Sequence, residues 1–433
     1  MELIRKSFML GCALAVGGCA QGALGGSPGA LSPSGLSALP ATHFRVRSLG
    51  GGNPLIYDFQ GDPDGATPYA GLVNAGGTLY GTTYYGGGNN LGAIFSVTTG
   101  GSESILHSFA GSDGEYPQAS LIDVNGTLYG TTSAGSGSNA YGNVFSYTPG
   151  SGGFKVVYSF KAPPNDGVFP MADLTYANGA LYGTTEGGGN AEYGTVFKIP
   201  LTGKNAGQES IVYSFQGSPD GGPDGARPLA GILYDDGLLY GTTYAGGAKG
   251  EGTLFAISLT TGKETILHSF GSNKKDGYEP QADLLLYKNT LYGTAANGGP
   301  ANADCGGAGC GTVFKSTLAG KYKTLYAFDP YRTPSGFHED GLRPLAGLIN
   351  VSGTFYGTTE ASTSTGSGTV FSVTPAGAES LVTVFACPQP SGCPPPWPSN
   401  PEGALIDVGG TLYGTTVDVQ GGSGYGSVFA LPI

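Results

Sequence analysis

Residues 79–83 read Leu-Tyr-Gly-Thr-Thr, and the phrase returns at 128–132, 181–185, 239–243, 291–295 (ending in Ala295), 355–359 (opening with Phe355) and 412–416. The central tyrosines, Tyr80, Tyr129, Tyr182, Tyr240, Tyr292, Tyr356 and Tyr413, lie 49 to 64 residues apart. A unit of that length cannot bury its apolar face alone, so it must pack on copies of itself. Outward from the second copy, four short runs rich in β-branched and aromatic residues emerge at 119–124, 127–133, 142–148 and 155–160. Each is bounded by Gly, Pro, Asn or Asp, which reads as four strands, a to d. Past the N-terminal region no helical period is present, and 81 glycines and 29 prolines would break most helices. The chain is expected to be all-β.

Spacing within the repeat refines this. The strand-a residue (Leu72, Leu121, Leu174, Ile232, Leu284, Leu348, Leu405) precedes the strand-b Tyr by eight residues in every copy, as a tight hairpin requires. The span from strand b to the strand-c Phe is 12 or 13 residues except in the fifth copy, where it is 19. From the strand-d Phe to the Pro before strand a it is 8 to 13 residues, but 16 before Pro344 and Pro401. Length therefore varies in the b–c and d–a loops, which leave one face of an up-and-down four-stranded sheet.

The ends of the repeat array are complementary. Residues 54–59 match strand d, while the last strand, 426–431, matches strand c. An open solenoid needs polar caps instead. The sequence thus predicts a seven-bladed β-propeller of four-stranded blades, closed by an N-terminal strand joining the last blade. Residues 44–49 resemble a surplus strand c.

The same phrases resemble the GloVer-type bacterial tandem repeats. The repeat reads Leu-Tyr-Gly-Thr-Thr, a Gly-rich loop, Gly-Thr-Val-Phe, an aliphatic-Tyr-Ser-Phe strand and Asp-Gly-x-x-Pro, as at 181–185, 194–197, 212–215 and 224–228. The resemblance covers residues 54–433 and implies a secreted or surface-anchored protein. It brings no general activity and no catalytic residues.

Arg5 and Lys6, an apolar run at 7–16, and Val16-Gly17-Gly18-Cys19 resemble a lipoprotein signal, with Cys19 the lipidated residue. The expected organisation is a signal peptide at 1–19, a flexible Gly/Ser/Ala/Pro tether at 20–43 and the propeller at 44–433. The expected location is the bacterial cell envelope, lipid-anchored, at the outer membrane if the host has one. The formal charge is −12 with no Lys/Arg cluster, which disfavours nucleic acid and anionic lipid as partners. Contact with a membrane is expected only through the anchor, and the protein is expected to be a monomer.

Four further cysteines form two local pairs, Cys305 with Cys310 and Cys387 with Cys393, read as loop-closing disulfides in an oxidising compartment. No metal-ligand spacing, phosphate loop or Ser/His/Asp pattern is found, so no cofactor and no metal is expected. Asp64, Asp113, Asp166, Asp224, Asp276 and Asp340 open Asp-Gly-x-x-Pro turns. They read as turn formers, with an acidic ring at the channel mouth as the alternative. Arg227 and Arg343, three residues after such an Asp, are expected to pair with it. His107 and His268 stand where other copies have Tyr and read as packing variants.

Two functions remain. One is a binding or scaffold module presenting a face to a glycan or protein. The other is a polysaccharide hydrolase or lyase using carboxylates at the channel mouth. The lack of a catalytic constellation favours the first. The expected ligand site lies on the three long insertions at 296–311, 329–343 and 386–400, which hold Tyr331, Phe337, His338, Glu339 and the sole Trp397.

Overall fold

The computed structural model describes residues 54–135, 140–218, 220–301, 305, 307–329, 340–362, 366–385, 397–420 and 423–433. Among them are seven antiparallel four-stranded sheets, each in the order a-b-c-d, and no α-helix. The molecule is a seven-bladed β-propeller. In blade 4 the strands are Leu233–Asp235, Leu238–Thr243, Thr253–Ser258 and Glu264–Ser269. Strands a of neighbouring blades touch, which places them innermost.

Blade 7 takes strands a to c from Ile406–Asp407, Thr411–Thr416 and Ser427–Pro432, and strand d from Leu55–Asp58. Leu55 pairs with Phe429 and Asp58 with Ser427, so the N-terminal strand closes the ring as expected. The surplus strand expected at 44–49 lies outside the described residues, as do the expected signal and tether.

Sterics explain the invariant phrase. A Cβ on Gly241 would lie 2.7 Å from the Phe255 ring and 2.9 Å from Ile232, and Gly81 and Gly183 are crowded in the same way by Phe95 and Phe197. The glycine is needed for room: its φ is not left-handed. The strand-c Phe that fills this space meets the strand-d Phe of the preceding blade edge to face at all seven seams. Ring centroids are 4.8 Å apart for Phe385 and Phe429 and 5.3 Å for Phe109 and Phe145. The pair that closes the ring, Phe59 and Phe95, is 5.0 Å apart. These phenylalanines are essentially solvent-free, and burying each stabilises by roughly 2 kcal/mol.

The first threonine of the phrase reaches the next blade. Thr82 donates to the Ala119 carbonyl at 3.1 Å, Thr184 to Ala230 at 2.9 Å, Thr294 to Ala346 at 3.0 Å and Thr415 to Ala70 at 2.7 Å. Its counterpart Thr242 is buried with no partner for its hydroxyl.

Strand a is shorter than the sequence predicts. In blade 2 it spans Ile122–Val124, because residues 119 and 120 bond sideways: Ala119 O accepts Thr82, and Ser120 N–H donates to Asp173. The lead-in to strand a instead forms two-stranded ribbons with the residues after strand b, such as Gly225–Ala226 with Ala245–Gly246. Their two-residue length leaves no readable period.

Candidate functional site

All six aspartates of the Asp-Gly turns clamp the end of the preceding strand d. Asp224 accepts the Tyr213 hydroxyl at 3.0 Å and the backbone N–H groups of Gln216 at 2.7 Å and Gly225 at 2.6 Å. Asp64, Asp166 and Asp340 hold Tyr57, Tyr158 and Tyr326 in the same way. In two blades histidine replaces the tyrosine: His107 Nε2 lies 2.9 Å from Asp113 and His268 Nε2 2.9 Å from Asp276. These imidazoles stack on Phe154 and Tyr322, and burial pushes His107 below its ordinary pKa against the pull of Asp113. In the seventh copy Trp397 stands at the Asp position and Thr383 at the Tyr position, so both halves of the clamp are lost together. The aspartates serve the blade, as the turn-former reading holds, and each carboxylate is engaged through at least one oxygen.

The expected arginine partners are corrected. Arg227 pairs with Glu186 of the preceding blade, Nε to Oε1 at 2.9 Å, and Arg343 pairs with Glu360 at 2.8 Å. Asp224 and Asp340 are already satisfied by Tyr hydroxyls and backbone N–H groups, while the arginines reach the glutamates that directly follow strand b.

What sends them there is the backbone. The residue before the invariant Pro is left-handed in every blade: Thr67, Tyr116, Phe169, Arg227, Glu279, Arg343 and Asn400, with φ between 55° and 60°. Each N–H donates to the preceding blade and each carbonyl accepts from its own. Arg227 N–H bonds to Tyr193 O at 2.8 Å, and Arg227 O accepts from Tyr244 N–H at 2.9 Å. The side chains thus stand around the rim at the end where the d–a and b–c loops emerge.

At the seams these residues meet the residue that follows strand b. Arg227 lies over the Tyr244 ring at 5.0 Å while holding Glu186. Tyr244 feels the charge of Glu279 in the next blade, and Asn297 donates to Glu279. Burial and Glu279 push Tyr244 up to about 12, against Arg227 and Arg343. Glu402, further in, is pushed up to about 8 by burial and then by Glu360, with Arg343 opposing. Between blades 1 and 2 the partners are aromatic: Tyr84 stacks on Tyr116 with centroids 5.0 Å apart.

Three residues past the Pro, the next tier down the channel is Gly71, Ser120, Asp173, Gly231, Asp283, Gly347 and Ala404. Asp283 accepts Gly231 N–H at 2.5 Å, and Asp173 accepts Ser120 N–H at 2.6 Å. A Cβ on Gly231 would lie 2.9 Å from both carboxylate oxygens of Asp283 and from Asp173 O, so glycine there makes room for the carboxylate. Burial, then the charge of Asp173, pushes Asp283 up to about 7. A recess of about 300 Å³ lies beside it, lined by Thr175, Leu233 and Tyr234 among others.

Of the residues expected to bind ligand, Tyr331, Phe337, His338 and Glu339 lie outside the described residues. Trp397 is half-buried in a ribbon, paired with Gln420. Cys305 and Cys310 form a disulfide with Cα atoms 5.3 Å apart. Cys310 O in turn accepts Arg343 N–H at 2.9 Å, so the staple adjoins the rim. Cys387, Cys393 and Cys19 lie outside the described residues. No group of three metal-ligating side chains occurs among those described. No single residue type marks the rim; the signal in the sequence is a column that varies between copies directly before an invariant Pro.

A closed propeller with closely similar blades and a varied channel mouth defines the class of this protein: a tandem-repeat β-propeller. Residues 21–225 and 218–305 match the Gloeobacter/Verrucomicrobia repeat, and the chain belongs to that family. No curated protein matches the sequence. Among solved structures it is similar to TolB from Acinetobacter baumannii, at 13% identity and TM-score 0.35, over 57% of this chain and 50% of TolB. It is also similar to a putative 6-phosphogluconolactonase from Bacteroides uniformis, at 12% identity and TM-score 0.45, over 72% of this chain and 83% of the other. The chain thus spans half the length of TolB, and neither likeness carries a function to it.

Proposed function

We propose that this protein is a binding module that seats its ligand on the channel mouth, at the face bearing the d–a and b–c loops. The supporting observation is the ring of left-handed residues. The conformation recurs in all seven blades and so belongs to the fold, where glycine would be the least costly residue. Yet in a chain with 81 glycines none of the seven is Gly, and no two blades carry the same pair of rim side chains. Side chains kept at a strained position, and varied from blade to blade, point to recognition.

The hydrolase or lyase reading leaned on the Asp-Gly carboxylates. Those are engaged with Tyr or His side chains and backbone N–H groups, so binding is the better-supported role. The envelope location through a lipid on Cys19 stands as part of this proposal: Cys19→Ser should release the protein from the membrane fraction or leave it unprocessed. For the site itself, an array of glycans and peptides probed with the full chain should give a hit. Hydrogen exchange on that complex should show protection at Arg227, Tyr244 and Glu279. Protection confined to the a–b turns, such as 236–237, would reject the mouth, and release of product from the hit would reject a purely binding role.

A further inference from the structure

At one seam four neighbouring positions of the mouth are tyrosine. Tyr69, Tyr84 and Tyr85 of blade 1 and Tyr116 of blade 2 form a continuous cluster. Centroids are 5.4 Å apart for Tyr69 and Tyr84, 4.6 Å for Tyr84 and Tyr85, and 5.7 Å for Tyr85 and Tyr116. The same four positions at the seam of blades 4 and 5 hold Leu229, Tyr244, Ala245 and Glu279. The cluster is therefore a departure from the repeat. Core packing does not account for it, since Tyr85 is 40% exposed and the other three are half-buried at the surface.

From this we infer that the tyrosine cluster is a stacking platform for a neutral glycan, with the sugar ring lying against Tyr85 and Tyr116 at the edge of the mouth. The inference rests on the binding-module reading and deepens it. Partly exposed tyrosines offer an apolar face for the C–H side of a pyranose and a hydroxyl for its edge, at low cost in side-chain entropy. Charge decides which glycan. Among the described residues of the rim Glu186 and Glu360 are each paired with an arginine, Glu279 is a carboxylate no arginine matches, the lysines of this face (Lys161, Lys249, Lys274 and Lys275) stand exposed on its loops, and the whole chain carries −12. An acidic polysaccharide would meet like charge with no unpaired arginine among these rim positions to receive it, whereas a neutral one meets no such penalty.

The test is affinity electrophoresis of the full chain through gels holding dextran, galactomannan or xyloglucan, with alginate and polygalacturonate as acidic counterparts. Retardation by at least one neutral polymer and by neither acidic one is expected. Tyr85→Ala should weaken that retardation roughly tenfold, the loss of one stacked ring, while Tyr85→Phe should keep most of it. Tyr116→Asn removes the second ring with a residue that tolerates the left-handed backbone, and should act like Tyr85→Ala with an unchanged melting curve. No retardation by any neutral polymer overturns the inference, as does binding that Tyr85→Ala and Tyr116→Asn leave untouched. A peptide hit on the array protected at Arg227 and Tyr244 would do the same while leaving the mouth as a binding site. Loss of all binding at the mouth would remove both readings.

Discussion

Gly241 and Phe255 in the fourth blade are repeated residue for residue around the ring, while Arg227 and Tyr244, at the top of that blade, form a pair no other blade shares. Both regions come from one repeat and both hold a fixed backbone. They differ in what fixes it. In the blade body, side chains do the fixing: residue 241 must lack a side chain because Phe255 sits within 2.7 Å of where a Cβ would be. At the rim, main-chain bonds across the seam hold each left-handed residue, so the side chain is released from structural duty. One region records the fold and the other is open to function.

The largest test of this contrast is Phe255→Ala. It removes a fully buried ring that packs on both Gly241 and Phe215, and should cost about 3–5 kcal/mol by urea unfolding of the full chain. Thr67→Asn at the rim, keeping the backbone, should stay within about 0.5 kcal/mol. Comparable losses at the two sites would erase the distinction.

Asp283 stands between the two regions, on a tier that varies yet bonds to its neighbour. Its pKa is raised from 3.8 to about 7, so the fold favours the protonated carboxyl. That contribution is complete below about pH 4 and is lost as pH rises through about 7. Asp283→Asn keeps an acceptor for Gly231 N–H and removes the ionisation. It should match the parent near pH ~4 and exceed it in denaturation midpoint near pH ~8; a gap that stays constant between the two would show that the carboxylate is not held protonated.

The smallest effect gives the finest comparison. Thr415→Val removes the hydrogen bond to Ala70 and should cost about 1 kcal/mol. Thr242→Val, where the buried hydroxyl has no partner, should be neutral or slightly stabilising. Equal losses would mean that the threonines act by packing alone.

The fold was legible because each constraint is stated seven times. The strand-b phrase, the strand-c Phe and the complementary ends locate the strands, the seams and the clasp, and the Cys305–Cys310 pair follows from its five-residue separation. The rim was not legible, since left-handed backbone is ordinarily signalled by Gly or Asn, and only Asn400 among the seven offers that cue. Arg227 was misread for a related reason. Asp224 is its neighbour along the chain, but Glu186, 41 residues away, is its neighbour across the seam.

The clasp between Leu55–Asp58 and Ser427–Pro432 has a consequence in time. Blades 1 to 6 draw their strands from contiguous stretches, so each can assemble as its own segment becomes available. The bond from Thr415 to Ala70 joins residues 345 apart, a closure whose entropic cost is roughly 5 kcal/mol, and it comes last. Until then strand c of blade 7 is an open edge awaiting a strand of fixed register. Residues 55–58 of a second molecule fit that edge equally well. Refolding at high concentration should therefore yield strand-exchanged dimers that dilute refolding does not.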